Sequence, residues 1–141
     1  MSHSYLDHGA DMGVSARAGT LEGVFQESAK GLFSLMADLK EVATGTSVEI
    51  KTHGRDREDL LYEWLSELLS LSNLRGEVYS EFADLTIEKS DTGYDLRGTV
   101  KGEKLDPGTH DLGTEVKAIT YQGLDLSKEK NTWRCRFVVD V

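Results

Sequence analysis

Two separate stretches of this chain carry apolar residues at helical spacing along one side only, and every acceptable fold has to cover both. Leu21, Val24, Phe25, Ser28, Ala29, Leu32, Phe33 and Met36 recur at i, i+3, i+4, i+7, i+8, i+11, i+12 and i+15, lining one face of a helix. Leu60, Leu61, Trp64, Leu65, Leu68, Leu69 and Ser72 repeat the pattern, with Glu58, Glu63 and Glu67 on the opposite side. A one-sided stripe needs a sheet or another helix against it. Thr20 reads as the N-cap of the first helix. Asp56, with Asp59 three residues on, has capping-box spacing at the start of the second, with Asp in place of the usual Glu or Gln. Residues 73–76 end that helix. The Phe25, Phe33 and Met36 stripe is read as core packing and not as a ligand groove.

What surrounds the helices reads as strands. Residues 11–18 alternate, with Met12, Val14, Ala16 and Ala18 on one side and Asp11, Gly13, Ser15 and Arg17 on the other. Residues 47–51 alternate again. An extended segment over 78–89 meets the turn Ser90-Asp91-Thr92-Gly93, which closes a hairpin onto 94–101. Segments 115–121 and 132–141 complete the set, and the turn-rich stretch 105–111 holds the only proline, Pro107. This late run of strands argues against an alternating Rossmann-type sheet. The expected fold is α/β of the α+β type: mixed β-sheets with two packed amphipathic helices, in the order β-α-β-α-β-β-β-β.

At 141 residues and 38% hydrophobic content, one domain over residues 1–141 is expected, burying about two thirds of its unfolded surface. No apolar run approaches the ~20 residues of a membrane span, and the N-terminus lacks the basic segment and apolar core of a secretion signal. A soluble protein made in place, with no membrane partner, is the expectation. Cys135 is the only cysteine, so no intramolecular disulfide and no cysteine zinc site can form, which favours a cytoplasmic location. Its alternation with Trp133, Phe137, Val139 and Val141 marks it as a small buried apolar residue. With 25 acidic against 16 basic side chains the net charge is −9. Such a surface repels a phosphate backbone, so direct non-specific nucleic-acid binding is not expected and a divalent cation or basic protein partner is.

The chemistry-bearing residues cluster at the two ends of the chain. Asp7, His8 and Asp11 precede the first alternating strand, and Asp11 falls on its polar face. On the last strand Asp140 shares the polar side with Arg134, Arg136 and Val138. If those strands are neighbours, the two carboxylates lie on one surface, although no sequence rule forces that pairing. Carboxylates about 4 Å apart repel by roughly 4 kcal/mol at an effective dielectric near 20, and a hard divalent ion between them would offset that. The plainer alternatives are a strand-end carboxylate for Asp11, a packing or hydrogen-bonding residue for His8, and an exposed strand lysine for Lys117.

The pieces together resemble the archease family. The resemblance rests on Asp7-His8-Gly9-Ala10-Asp11 before a strand, Thr20-Leu21-Glu22 opening a Phe-rich helix, and the helix containing Asp59-Leu60-Leu61-Tyr62-Glu63-Trp64-Leu65. Val116-Lys117-Ala118-Ile119-Thr120-Tyr121 and the closing Val139-Asp140-Val141 continue it in order. Two positions depart: the family usually has Thr where Gly9 stands and often His where Gln122 stands. The resemblance implies an accessory protein rather than an enzyme, one that activates the GTP- and manganese-dependent tRNA-splicing RNA ligase by promoting guanylylation of the ligase histidine and multiple turnover. It also implies a divalent ion, most often Ca2+, held by Asp11, Asp140 and the main-chain carbonyl of Val141, with Asp7, His8 and Lys117 as auxiliary positions. The competing reading is a small metal-dependent phosphoesterase using the same carboxylates. A third is a binding domain whose carboxylates are structural.

Overall fold

The computed structural model describes residues 2–8, 11–106 and 113–141, and of residues 5–8 the backbone alone. Its elements run β1 (Ser2–His8), β2 (Asp11–Ala18), α1 (Leu21–Ser34), a 3-10 turn (Leu39–Glu41), β3 (Thr46–Gly54), α2 (Arg57–Arg75), β4 (Glu77–Ser90), β5 (Gly93–Lys104), β6 (Ala118–Glu129) and β7 (Thr132–Asp140). One sheet has the order β1-β2-β7-β6 and the other β3-β5-β4, and every pairing is antiparallel. The α+β class and the two packed helices are as expected. Of the stretch 105–111, residues 107–111 lie outside the described residues, as do Gly9 and Ala10 of the N-terminal motif.

Both helices begin where their caps dictate. Thr20 accepts a hydrogen bond from the Gly23 N–H at 2.9 Å, and Asp56 from the Asp59 N–H at 2.8 Å. The capping box differs in one detail: the Asp59 carboxylate reaches back to the N–H of Arg55, at 2.9 Å, and not to that of Asp56. The second helix stops at Gly76, whose φ of +63° is the left-handed conformation that glycine adopts without a Cβ penalty. There the chain turns directly into β4, held by Ser72, whose hydroxyl donates to the Glu77 carbonyl, and by Arg75 and Tyr79, which both donate to the buried Glu77 carboxylate. The Arg75 guanidinium holds that carboxyl below its ordinary range.

The predicted stripes are the core. Each helix packs against strands of both sheets. Phe25, Leu32, Phe33, Leu60, Leu61, Trp64, Leu65 and Leu68 are all fully buried, so the phenylalanine stripe is packing, as read from its spacing. The Trp64 indole donates to the Phe25 carbonyl at 3.0 Å, joining the helices. Phe33 meets the second sheet edge-on at Tyr79, 5.5 Å between centroids, and stacks on Phe82 at 5.9 Å. Cys135 is buried on the inner face of β7, and burial pushes its thiol up to about 12, leaving it an inert apolar residue at neutral pH.

Three finer points differ from the sequence expectation. A strand, β1, precedes the expected order; it is an edge strand with no apolar stripe, held by backbone pairing to β2 and by His3, whose ring nitrogen lies 3.4 Å from Glu27 of α1. The sheets are antiparallel throughout and not mixed. The sixth strand runs from Ala118 to Glu129, starting later and ending later than the expected 115–121. The ladder shifts register between Thr120 and Asp125, with Gly123 at φ +81°, and pairing with β7 resumes beyond it.

Truncating the Asp56 cap to Ala should lower stability by about 1 kcal/mol, and Trp64→Ala by about 3–5 kcal/mol, both read from urea denaturation midpoints. Glu77, with its carboxyl held low in the folded chain, contributes stability that is present above the ordinary carboxylate range and is lost as pH falls through the depressed folded value. Glu77→Gln should therefore flatten the acid side of the stability profile measured by thermal melts across pH.

Candidate functional site

The central strand pair of the four-stranded sheet joins the two ends of the chain. In the β2–β7 register Asp11 is the direct partner of Asp140, Met12 of Val139, Val14 of Phe137 and Ala16 of Cys135. Val14, Ala16, Cys135, Phe137 and Val139 are buried against the helices, which leaves Asp11 and Asp140 together on the outer face. Direct partners in an antiparallel pair have Cβ atoms about 4.5–5.5 Å apart. The condition set by the sequence, that these two strands be neighbours, is met, and both carboxylate residues are half-buried.

The same row extends outward on both sides. Strand β1 pairs His8 with Asp11, and β6 pairs Ala118 with Asp140. Asp7 pairs with Met12 and so stands one register position away from the row. The side chains of Asp7 and His8 lie outside the described residues. Lys117 is exposed and sits immediately ahead of β6; its main-chain N–H donates to the Asp140 carbonyl at 2.8 Å. That hydrogen bond fastens β6 to the end of β7 beside the carboxylate pair, a tie no sequence pattern signals. Val141 follows β7 directly and is half-buried, and Gln122 is exposed on β6.

Chemically, this is a pair of hard oxygen donors held on the rigid centre of a sheet. Among the described residues no group of three or more His, Cys, Asp or Glu side chains is arranged to hold a metal. Two carboxylates with main-chain carbonyl and water oxygens suit calcium, which tolerates an irregular shell, better than zinc, which prefers nitrogen and sulfur. Also among the described residues, no helix is long and apolar enough to cross a membrane.

A profile of the archease protein family (MTH1598/TM1083) matches residues 3–141. The chain belongs to the archease family. It is 38% identical over 138 residues to protein archease of Thermococcus kodakarensis, covering 97% of this chain and 96% of the relative. It is 36% identical over 136 residues to protein archease of Methanopyrus kandleri, at 96% of each chain. Among solved structures, protein 1598 of Methanobacterium thermoautotrophicum aligns over 99% of this chain and 98% of its own, with a TM-score of 0.88 at 32% identity. An archease from Thermotoga maritima, described as a possible chaperone, shares the fold at a TM-score of 0.61 and 20% identity, over 96% and 94% of the two chains. Membership in this family confirms the resemblance drawn from the motifs.

Like charges directly opposite across a sheet oppose folding. In low-salt buffer with a chelator, Asp11→Asn or Asp140→Asn should leave the protein more stable than the parent by roughly 0.2–1 kcal/mol, a gain that shrinks as added salt screens the pair. Urea titrations at two ionic strengths measure it; a loss of stability in both variants contradicts the repulsive pairing.

Proposed function

We propose that this archease-family protein is a divalent-cation-binding activator of the GTP- and manganese-dependent tRNA-splicing RNA ligase, acting in the cytoplasm. In this reading Asp11, Asp140 and the main-chain carbonyl of Val141 hold the ion, by preference Ca2+. Asp7, His8 and Lys117 are auxiliary positions around it. The observation that carries the proposal is the β2–β7 register, which makes Asp11 and Asp140 direct cross-strand partners on an outward face.

The chain's own residues perform three tasks in this scheme. Strand pairing holds the two carboxylates close before any ion arrives, so little conformational entropy is lost on binding. The Lys117 N–H anchors the Asp140 main chain, keeping the carboxylate from following fluctuations of the strand end. The outward placement lets a bulky protein partner approach the row His8–Asp11–Asp140–Ala118. The bound ion would supply positive charge to an otherwise repulsive pair. An acidic, ion-bearing face suits docking beside the basic active-site cleft of a nucleotide-using ligase, where it would promote guanylylation of the ligase histidine and sustain multiple turnovers.

Calcium should raise the melting temperature of the parent, and Asp11→Asn or Asp140→Asn should abolish that rise; a full calcium shift in both variants removes this site. Removing residues 140–141 should cost the calcium response and ligase stimulation while a folded core persists by circular dichroism. The decisive assay combines the protein with its cognate ligase and GTP and follows guanylylation. Faster guanylylation that depends on Asp11 and Asp140 supports the activator, whereas hydrolysis of generic phosphoesters by the protein and metal alone supports the phosphoesterase and overturns it.

A further inference from the structure

The outer face that carries the carboxylate pair has a second, oppositely charged end. Four and six residues further along β2 from Asp11, the chain builds two adjacent rows across all four strands. One row reads Ser2, Arg17, Arg134, Ser127, and the next reads Ser4, Ser15, Arg136, Asp125. These residues line one shallow groove, and all are exposed except Ser15, which is half-buried.

One feature of this strip opposes folding. Arg17 and Arg134 are direct cross-strand partners, a like-charge arrangement that opposes sheet pairing. Compensation is slight: among the described residues Arg17 has no ion pair, and Arg134 has one exposed contact, 3.5 Å to Glu129. Hydroxyls surround the guanidinium groups on three of the four strands. Arginine forks with neighbouring hydroxyl donors are the donor set that recognises phosphate oxygens.

We propose that this Arg–Ser strip is a binding site for a short linear polyphosphate, free or carried on a nucleoside. The length of the ligand follows from charge and spacing. The net charge of −9 repels a long phosphate backbone, but at physiological ionic strength charges are screened beyond about 8 Å, so a compact anion feels mainly the local arginines. Arg17 and Arg134 face each other at the separation of direct partners, about 5 Å between Cβ atoms, which brackets one phosphate. Arg136 stands two residues along the strand from Arg134, about 7 Å away, and reaches the next phosphate. Among the described residues no Phe, Tyr or Trp lines the groove, so recognition there falls mainly to the phosphate chain. The strip stands on its own residues and does not depend on the ion site.

The test is a titration of the 15N-labelled protein with inorganic triphosphate, in chelator-containing buffer at physiological ionic strength, so that no metal contributes and distant charges are screened. Saturable amide shifts centred on residues 15, 17, 134 and 136 are expected. Arg17→Gln and Arg134→Gln should each weaken binding by about tenfold, and Asp125→Asn, which removes the one carboxylate in the two rows, should tighten it. Asp11→Asn should leave the affinity unchanged, which separates this site from the ion site. Equal affinity for inorganic triphosphate, ATP and UTP identifies the free polyphosphate as sufficient, and a preference for the nucleotides identifies a nucleoside-borne chain. Absence of saturable shifts at millimolar triphosphate, unchanged affinity in both arginine variants, or stronger and steeply salt-dependent binding of an oligoribonucleotide overturns the proposal.

Discussion

The antiparallel register between β2 and β7 is the constraint from which the rest of the molecule follows. It closes the chain, places Val14, Ala16, Cys135, Phe137 and Val139 against the helices, and by the same alternation turns Asp11 and Asp140 outward. A slip of one residue would put two carboxylates into the core and several apolar groups into water. The cost of that inversion, several buried side chains at about 1.5–3 kcal/mol each, is what protects the geometry of a half-buried, outward-facing pair. The core thus enforces the surface.

Elements with an apolar stripe were legible from the residues alone. The helices over Leu21–Ser34 and Arg57–Arg75, the strand Asp11–Ala18 and the hairpin around residues 91–92 all announce themselves by periodicity, caps or turn chemistry. What escaped was edge structure. Ser2–His8 is paired to β2 through the main chain, and in the second half of β6 only Leu124 and Leu126 pack against the core, an alternation too short to mark a strand. For the same reason the antiparallel character of both sheets was out of reach: pairing partners are chosen by backbone hydrogen bonds across long sequence separations, which composition does not record.

The carboxylate pair was half visible. Strand alternation placed Asp11 and Asp140 each on a polar face, and only the fold made them partners. The tie from the Lys117 N–H to the Asp140 carbonyl left no trace in the sequence, because any residue other than proline supplies that donor. The arginine strip was invisible for a related reason: Arg17 lies more than a hundred residues from Arg134 and Arg136 along the chain, and a strongly acidic average hides a local concentration of positive charge. Segregation of opposite charges to the two ends of one sheet face is a property of register, not of composition.

The closure of β2 on β7 also has a consequence for biogenesis. The three-stranded sheet and α2 that lies beside it are contiguous, from Thr46 to Lys104, and can assemble while synthesis is under way. Strand β2 has to wait for a partner that leaves the ribosome more than a hundred residues later. Loop closure over that span is slow relative to local pairing, so the outward face is the last part of the molecule to exist. A nascent or truncated chain would display a substantially structured body with no assembled carboxylate pair, and a partner that reads this face would in effect be checking that translation had run past residue 140.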